Sequence, residues 1–157
     1  MRILGIDHVA ICAPDNGVAA VPFLEFLGMT AGPRELVTTQ KTEAYFLMTE
    51  DEAGACVELI APQGGNAGLE KFIEKRGGGL HHIAFHVDDL AAALQELDER
   101  GVRLIDKTPR PGARGHEVGF LHPSACGGVL VELVGHSRSP SASTEGLDTG
   151  PHTAERA

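Results

Sequence analysis

The chain has 157 residues, 42% of them apolar and 22% charged, an ordinary globular balance with enough apolar material for a core without disulfide staples. A net charge of −9 and a sequence pI near 5.3 argue against nucleic acid or an anionic membrane as the main partner. The three cysteines, Cys12, Cys56 and Cys126, show no CxxC spacing and form neither a disulfide framework nor a zinc ribbon; they are expected as small buried hydrophobes in a reducing cytosol.

The first run, MRILGIDHVAICAPD, is interrupted by Asp7 and His8 and so does not read as a secretion signal. No stretch approaches the roughly 20 apolar residues of a membrane span, and a soluble, cytoplasmic protein is expected. IDHVAICA predicts a strand. NGVAAVPFLEFLG is helical in pattern but carries Pro22 in its interior. A mid-helix proline costs about 3 kcal/mol, so this helix is expected to be kinked or to start late. Strands follow at about 30–36, 42–49 and 54–61. NAGLEKFIEKRGGG predicts a joining helix over 66–76, with Leu69, Phe72 and Ile73 on one face. LHHIAFHV predicts the next strand. DDLAAALQELDERG predicts a helix capped by Asp88 or Asp89, buried through Leu90, Leu94 and Leu97 and ended by Gly101. The final strands are expected at about 102–106, 116–121 and 128–134. The glycine pairs and triplets at 64–65 and 77–79 fit turns, not a phosphate loop. Residues 136–157 are rich in Ser, Thr, Gly and Pro and predict a disordered tail.

These elements repeat. A shift of 74 positions lays IDHVAI on LHHIAF, TEAYFL on HEVGFL and VELI on VELV without a gap. One offset serving widely separated blocks means duplication. The expected fold is α+β, with two paired βαβββ modules at about 4–62 and 78–135 in one domain, 1–135.

The same offset pairs His8 with His82 and Glu58 with Glu132, each glutamate lying 50 residues after its histidine. Both glutamates sit among aliphatic residues, where a lone ionised carboxylate is expensive to bury. A pseudo-twofold axis brings equivalent strands together, so the four side chains are expected to converge as ligands of one divalent ion. Four protein ligands leave room for substrate only in a five- or six-coordinate site. That favours Co2+, Mn2+, Ni2+ or Mg2+, or an expanded Zn2+ site. Alternation along the strand excludes His81 from the side His82 faces. His86 shares the parity of His82 and is assigned to packing. Glu43 and Glu117 form the next equivalent pair, either as exposed strand residues or with one acting as a base toward substrate.

The segments IDHVAICAPD, EKRGGGLHHIAFHVDD, GVRLIDKTPRPGARG and FLHPSACGGVLVELV resemble the methylmalonyl-CoA epimerase family, within the vicinal oxygen chelate superfamily, over about residues 4–135. The resemblance implies a fold of paired βαβββ modules. It implies a metal held by His8, His82 and Glu132, with Glu58 as an additional ligand and Co2+ as the foremost ion. Glu43 matches the family's acid/base glutamate; Glu132 is the second candidate base, with Glu58 or Glu117 as substitutes. It implies an acyl-CoA substrate and a homodimer. Lys71, Lys75, Arg76, Arg110 and Arg114 are candidates for the CoA phosphates. The sequence departs from the family at Pro22, where an aromatic pair is usual, and over 34–41. The competing readings are a glyoxalase I-like lactoylglutathione lyase, a non-catalytic ligand-binding protein of the same fold, and an iron-dependent ring-cleaving dioxygenase.

Overall fold

The structure is a computed structural model and describes residues 1–50 and 54–135. The tail expected at 136–157 lies outside the described residues. The first module runs β1 (Ile3–Cys12), α1 (Asn16–Val21), β2 (Thr30–Val37), β3 (Thr42–Met48) and β4 (Cys56–Pro62). Helix α2 (Ala67–Arg76) joins it to the second, which runs β5 (Gly79–Val87), α3 (Leu90–Glu99), β6 (Arg110–Pro111), β7 (Glu117–Leu121) and β8 (Leu130–Gly135).

All eight strands form one mixed sheet in the order β2-β3-β4-β1-β5-β8-β7-β6, which is the paired βαβββ arrangement. The order is mirrored about its centre. β1 and β5 pair antiparallel there, with Val9 opposite Ile83, His8 opposite Ala84 and Ala10 opposite His82. Exchanging the two modules through the 74-residue offset maps these last two pairs onto each other. The pseudo-twofold axis therefore passes beside Val9 and Ile83. On either side of this central pair the next pairing is parallel: Ala10 faces Glu58 on β4, and Ala84 faces Glu132 on β8.

Helices α1 and α3 cover one side of the sheet, and α2 lies on the other, where Leu69 packs with Ala10, Cys12 and Ile60. Asp15 caps α1 through the Val18 amide, and its repeat equivalent Asp89 caps α3 through the Ala92 amide. Asp88 has a different task and binds the Arg2 amide and guanidinium. α1 does not start late. It changes at Pro22 into a π-type turn over Pro22–Phe26, as expected where a proline removes a helical donor. Leu90, Leu94 and Leu97 of α3 pack with Val87, Leu121 and Leu133. On the first module Ala20 packs with Leu47 and Leu59.

The strand expected at 102–106 does not form. Leu104 makes a single bridge to Leu121, and both the Ile105 and Asp106 amides donate to the Phe120 carbonyl. This bulges the chain. The Asp106 carboxylate then accepts the Phe120 amide at 3.0 Å, substituting for a backbone carbonyl in the ladder. Pro109 and Pro111 have no amide hydrogen to offer, so regular pairing is confined to Arg110 and Pro111.

Candidate active site

On the face opposite α1 and α3, the sheet brings His8, Glu58, His82 and Glu132 together, with one ligand atom from each lying within 4.8 Å of all the others. His8 Nε2 lies 3.1 Å from an oxygen of Glu58 and 3.1 Å from one of Glu132. His82 Nε2 lies 2.9 Å from Glu132 and 3.7 Å from Glu58. The two Nε2 atoms are 3.3 Å apart. All four residues are buried, none more than 7% exposed. Burial alone would raise the Glu132 carboxyl, but hydrogen bonds from His8 and His82 outweigh it and hold the group well below its usual range. Burial would lower His8, but Asp7, Glu132 and Glu58 drive it far upward.

This donor set fits a divalent ion. Two carboxylates buried in aliphatic strands require positive charge, and both imidazoles turn the same nitrogen toward them. Separations of 2.9 to 3.7 Å are also those of donors around an ion with bonds of about 2.1 Å.

Both histidines are held from behind. Asp7 accepts from His8 Nδ1 at 2.8 Å, and Arg114 from the second module donates to the same Asp7 oxygen. His81 Nδ1 lies 2.9 Å from His82 Nδ1. Asp7 and His81 are equivalent under the 74-residue offset, so two different residue types do one job. An Nδ1 hydrogen held in this way would leave each Nε2 lone pair to a metal ion. Burial, with help from His82, pushes His81 down to about 4, so its ring is neutral. Alternation was expected to keep His81 off the face of His82, yet its ring touches the ligand and lines the same cavity. His86 is half-buried and is not among the residues lining the cavity.

A cavity of about 310 Å³ opens onto Glu58, His82 and Glu132. Its walls include Thr42, Ala44 and Ile60 from the first module and Phe120, Leu130 and Ala113 from the second. Glu43 is not among its lining residues. Thr42 and Ala44 face the cavity, and Phe46 packs edge-on against His8, so Glu43 between them belongs to the other face. There Asn16 donates to its carboxylate at 3.2 Å and Arg34 lies 3.8 Å away. Glu117 is exposed at the start of β7 and has the opposite parity to Val118 and Phe120, which pack with Ala84 below the site.

Several lining residues carried no sequence signal. Val37 and Gln40 come from the stretch that resembles nothing closely. The Gln40 amide donates to the Pro111 carbonyl at 3.1 Å and ties the two outer edges of the sheet together. Asn66 caps α2 and donates to Thr42 Oγ1 at 2.9 Å. Its position before AGLEKF was the one readable hint, as an N-cap.

The model of the Glyoxalase/Bleomycin resistance protein/Dioxygenase superfamily matches residues 7–120, and the chain belongs to that superfamily. Mitochondrial methylmalonyl-CoA epimerase of Dictyostelium discoideum is 47% identical over 129 residues, 82% of this chain and 76% of that protein. The crystal structure of methylmalonyl-CoA epimerase from Mycobacterium tuberculosis superposes with a TM-score of 0.81 at 35% identity, covering 87% of this chain and 90% of that one. A variant of the Streptomyces coelicolor methylmalonyl-CoA epimerase, in complex with 2-nitronate-propionyl-CoA, superposes with a TM-score of 0.80 at 29% identity, covering 87% and 100%. Within the superfamily, the chain is a member of the methylmalonyl-CoA epimerase family.

Proposed function

We propose that this protein is a metal-dependent epimerase that inverts C2 of methylmalonyl-CoA, or of a close 2-substituted malonyl-CoA. The observation that carries the reading is the pair of symmetry-equivalent carboxylates, Glu58 and Glu132, beside one cavity. Inversion at carbon needs a proton taken from one face and a proton returned to the other. Two carboxylates related by a twofold axis approach a centred substrate from opposite sides. Glu132 and Glu43 are the two proposed bases; Glu58, the symmetry partner of Glu132 beside the cavity, is the alternative base that this geometry favours. A divalent ion held by His8, His82, Glu132 and Glu58 would polarise the thioester oxygen and offset the negative charge that develops as the C2 proton leaves. Asp7 and His81, each within hydrogen-bond reach of an Nδ1, would keep both imidazoles in the tautomer that such an ion requires. Ala44, Ile60, Phe120 and Leu130 give the acyl group a wall with little water, where the carboxylates act strongly.

The mixed nitrogen and oxygen donor set suits Co2+, with Mn2+, Ni2+, Zn2+ or Mg2+ as alternatives. We further propose a homodimer in the cytoplasm. Ile3, Leu4 and Ile6 on β1 and Leu80 on β5 are exposed apolar residues that a second copy would cover. No helix among the described residues is long and apolar enough to cross a membrane.

The test is incubation of Co2+-loaded protein with one epimer of methylmalonyl-CoA in D2O. One deuterium is expected at C2 of both epimers, and chelation should abolish its entry. Absence of wash-in, together with isomerisation of a glutathione hemithioacetal, would replace this reading with the lyase.

A further inference from the structure

We propose that Arg110 is the residue that recognises the free carboxylate of the malonyl group and thereby selects malonyl thioesters over simple acyl thioesters. The inference rests on the epimerase reading above. The cavity beside Glu58, His82 and Glu132 is lined by one permanently cationic side chain among the described residues, and that is Arg110. Arg76 lies over Phe72 and Arg114 is committed to Asp7.

Arg110 is held as a preformed receptor. Its Nε donates to Asp106 at 3.0 Å, and its guanidinium carbon stands 5.0 Å from the centre of the Phe120 ring. Asp106 is fixed in turn by the Phe120 amide at 3.0 Å, the contact that ends the regular ladder at this point. With Nε bonded and its guanidinium carbon over the Phe120 ring, the side chain has less freedom left to lose on binding. Asp106 is its ion-pair partner among the described residues, and neither Glu58 nor Glu132 forms an ion pair with it. The two terminal nitrogens are thus available as a fork, the geometry that takes a carboxylate through two parallel hydrogen bonds.

Charge counting points the same way. Glu58 and Glu132 carry two negative charges, which a divalent ion would cancel, so the ligand cluster offers no surplus positive charge to an anionic acyl group. Arg110 supplies it. A neutral propionyl group lacks the carboxylate and would leave the fork unused.

The test compares binding of methylmalonyl-CoA, propionyl-CoA and CoA to Co2+-loaded protein by calorimetry, for the natural protein and for Arg110→Gln and Arg110→Lys. The Co2+ absorption spectrum is recorded in parallel to show that the ligand set is unchanged. Natural protein should bind methylmalonyl-CoA more tightly than propionyl-CoA. Arg110→Gln should weaken methylmalonyl-CoA about 10- to 100-fold, the worth of a charge-assisted pair, and propionyl-CoA less than about twofold. Arg110→Lys keeps the charge but not the fork and should fall between. An equal loss for all three ligands would overturn the assignment and move Arg110 to the CoA phosphates; no loss for any of them would overturn it as well. Exchange of the C2 proton by the natural protein separates the two readings. If exchange occurs and Arg110→Gln binds normally, only the Arg110 assignment fails. If the natural protein neither exchanges the proton nor prefers methylmalonyl-CoA, the epimerase reading fails with it.

Discussion

Glu43→Gln discriminates between the face that strand alternation assigns to this residue and the role that family resemblance implies for it. Gln keeps the length of the side chain and its ability to accept from Asn16, now 3.2 Å from the carboxylate. What it loses is the charge facing Arg34 at 3.8 Å, with the Arg34 side chain 49% exposed. Such a pair contributes about 0–1 kcal/mol in water. If the face that alternation assigns to Glu43 excludes it from the chemistry, the expected change is a small loss of stability and a turnover within about threefold of the natural protein, since Glu43 is not among the residues that line the cavity. A general base in direct contact with substrate would instead be worth about 10²- to 10⁴-fold. The two outcomes differ by at least a factor of about 30, well beyond assay error. The assay is deuterium wash-in at C2 of methylmalonyl-CoA, with cobalt content measured on the same samples. A loss of 100-fold or more with full metal content would refute the argument from alternation. It would require β3 to present Glu43 to the substrate.

Three further outcomes follow from the same geometry. His82→Ala should remain folded and lose most of its Co2+ on dialysis against chelator, since it removes one of four converging donors and leaves Glu132 without its 2.9 Å partner; full retention of metal would remove His82 from the ligand set. Because the carboxylates around it raise the affinity of His8 for a proton, metal must displace that proton, and apparent Co2+ affinity should rise about tenfold per pH unit; titrations at pH 6.5, 7.5 and 8.5 that gave one affinity would contradict this. In Gly119→Ala the new methyl carbon would lie 2.7 Å from Leu94 Cδ1, and Leu94 is fully buried and cannot withdraw; the loss should be about 1–3 kcal/mol, visible as a lowered midpoint in urea.

The equivalent of Gly119 in the first module is Tyr45, under the same offset. The exchange is intelligible once the helices are seen. α3 is a regular ten-residue helix lying close on β7, so only a hydrogen fits beneath Leu94. α1 is shorter and turns aside at Pro22, which leaves room for a tyrosine packed against Arg34. Pro22 was legible as a disruption; its consequence on the neighbouring strand was not. Likewise, the odd spacing between Glu43 and Phe46 already sets them on opposite faces. Nothing in one strand says which face is the site. Pairing β3 against β4 places Phe46 opposite Glu58, on the face that carries the ligand cluster.

The sequence by itself determined the duplication, the eight-strand plan apart from its shortest member, and the convergence of His8, Glu58, His82 and Glu132. It could do so because one offset applied to alternating strands leaves a twofold pairing as the arrangement that buries both carboxylates beside both imidazoles. Tertiary structure alone decided what surrounds that cluster. Asp7 and His81 share a role without sharing a residue type, Arg114 reaches its partner 107 positions away, and Arg110 is aimed by an aspartate that interrupts a ladder. Ligands repeated by symmetry leave a periodic trace in the chain. The contacts that support them are made once, between segments with no common pattern, and become visible only when the sheet has brought those segments together.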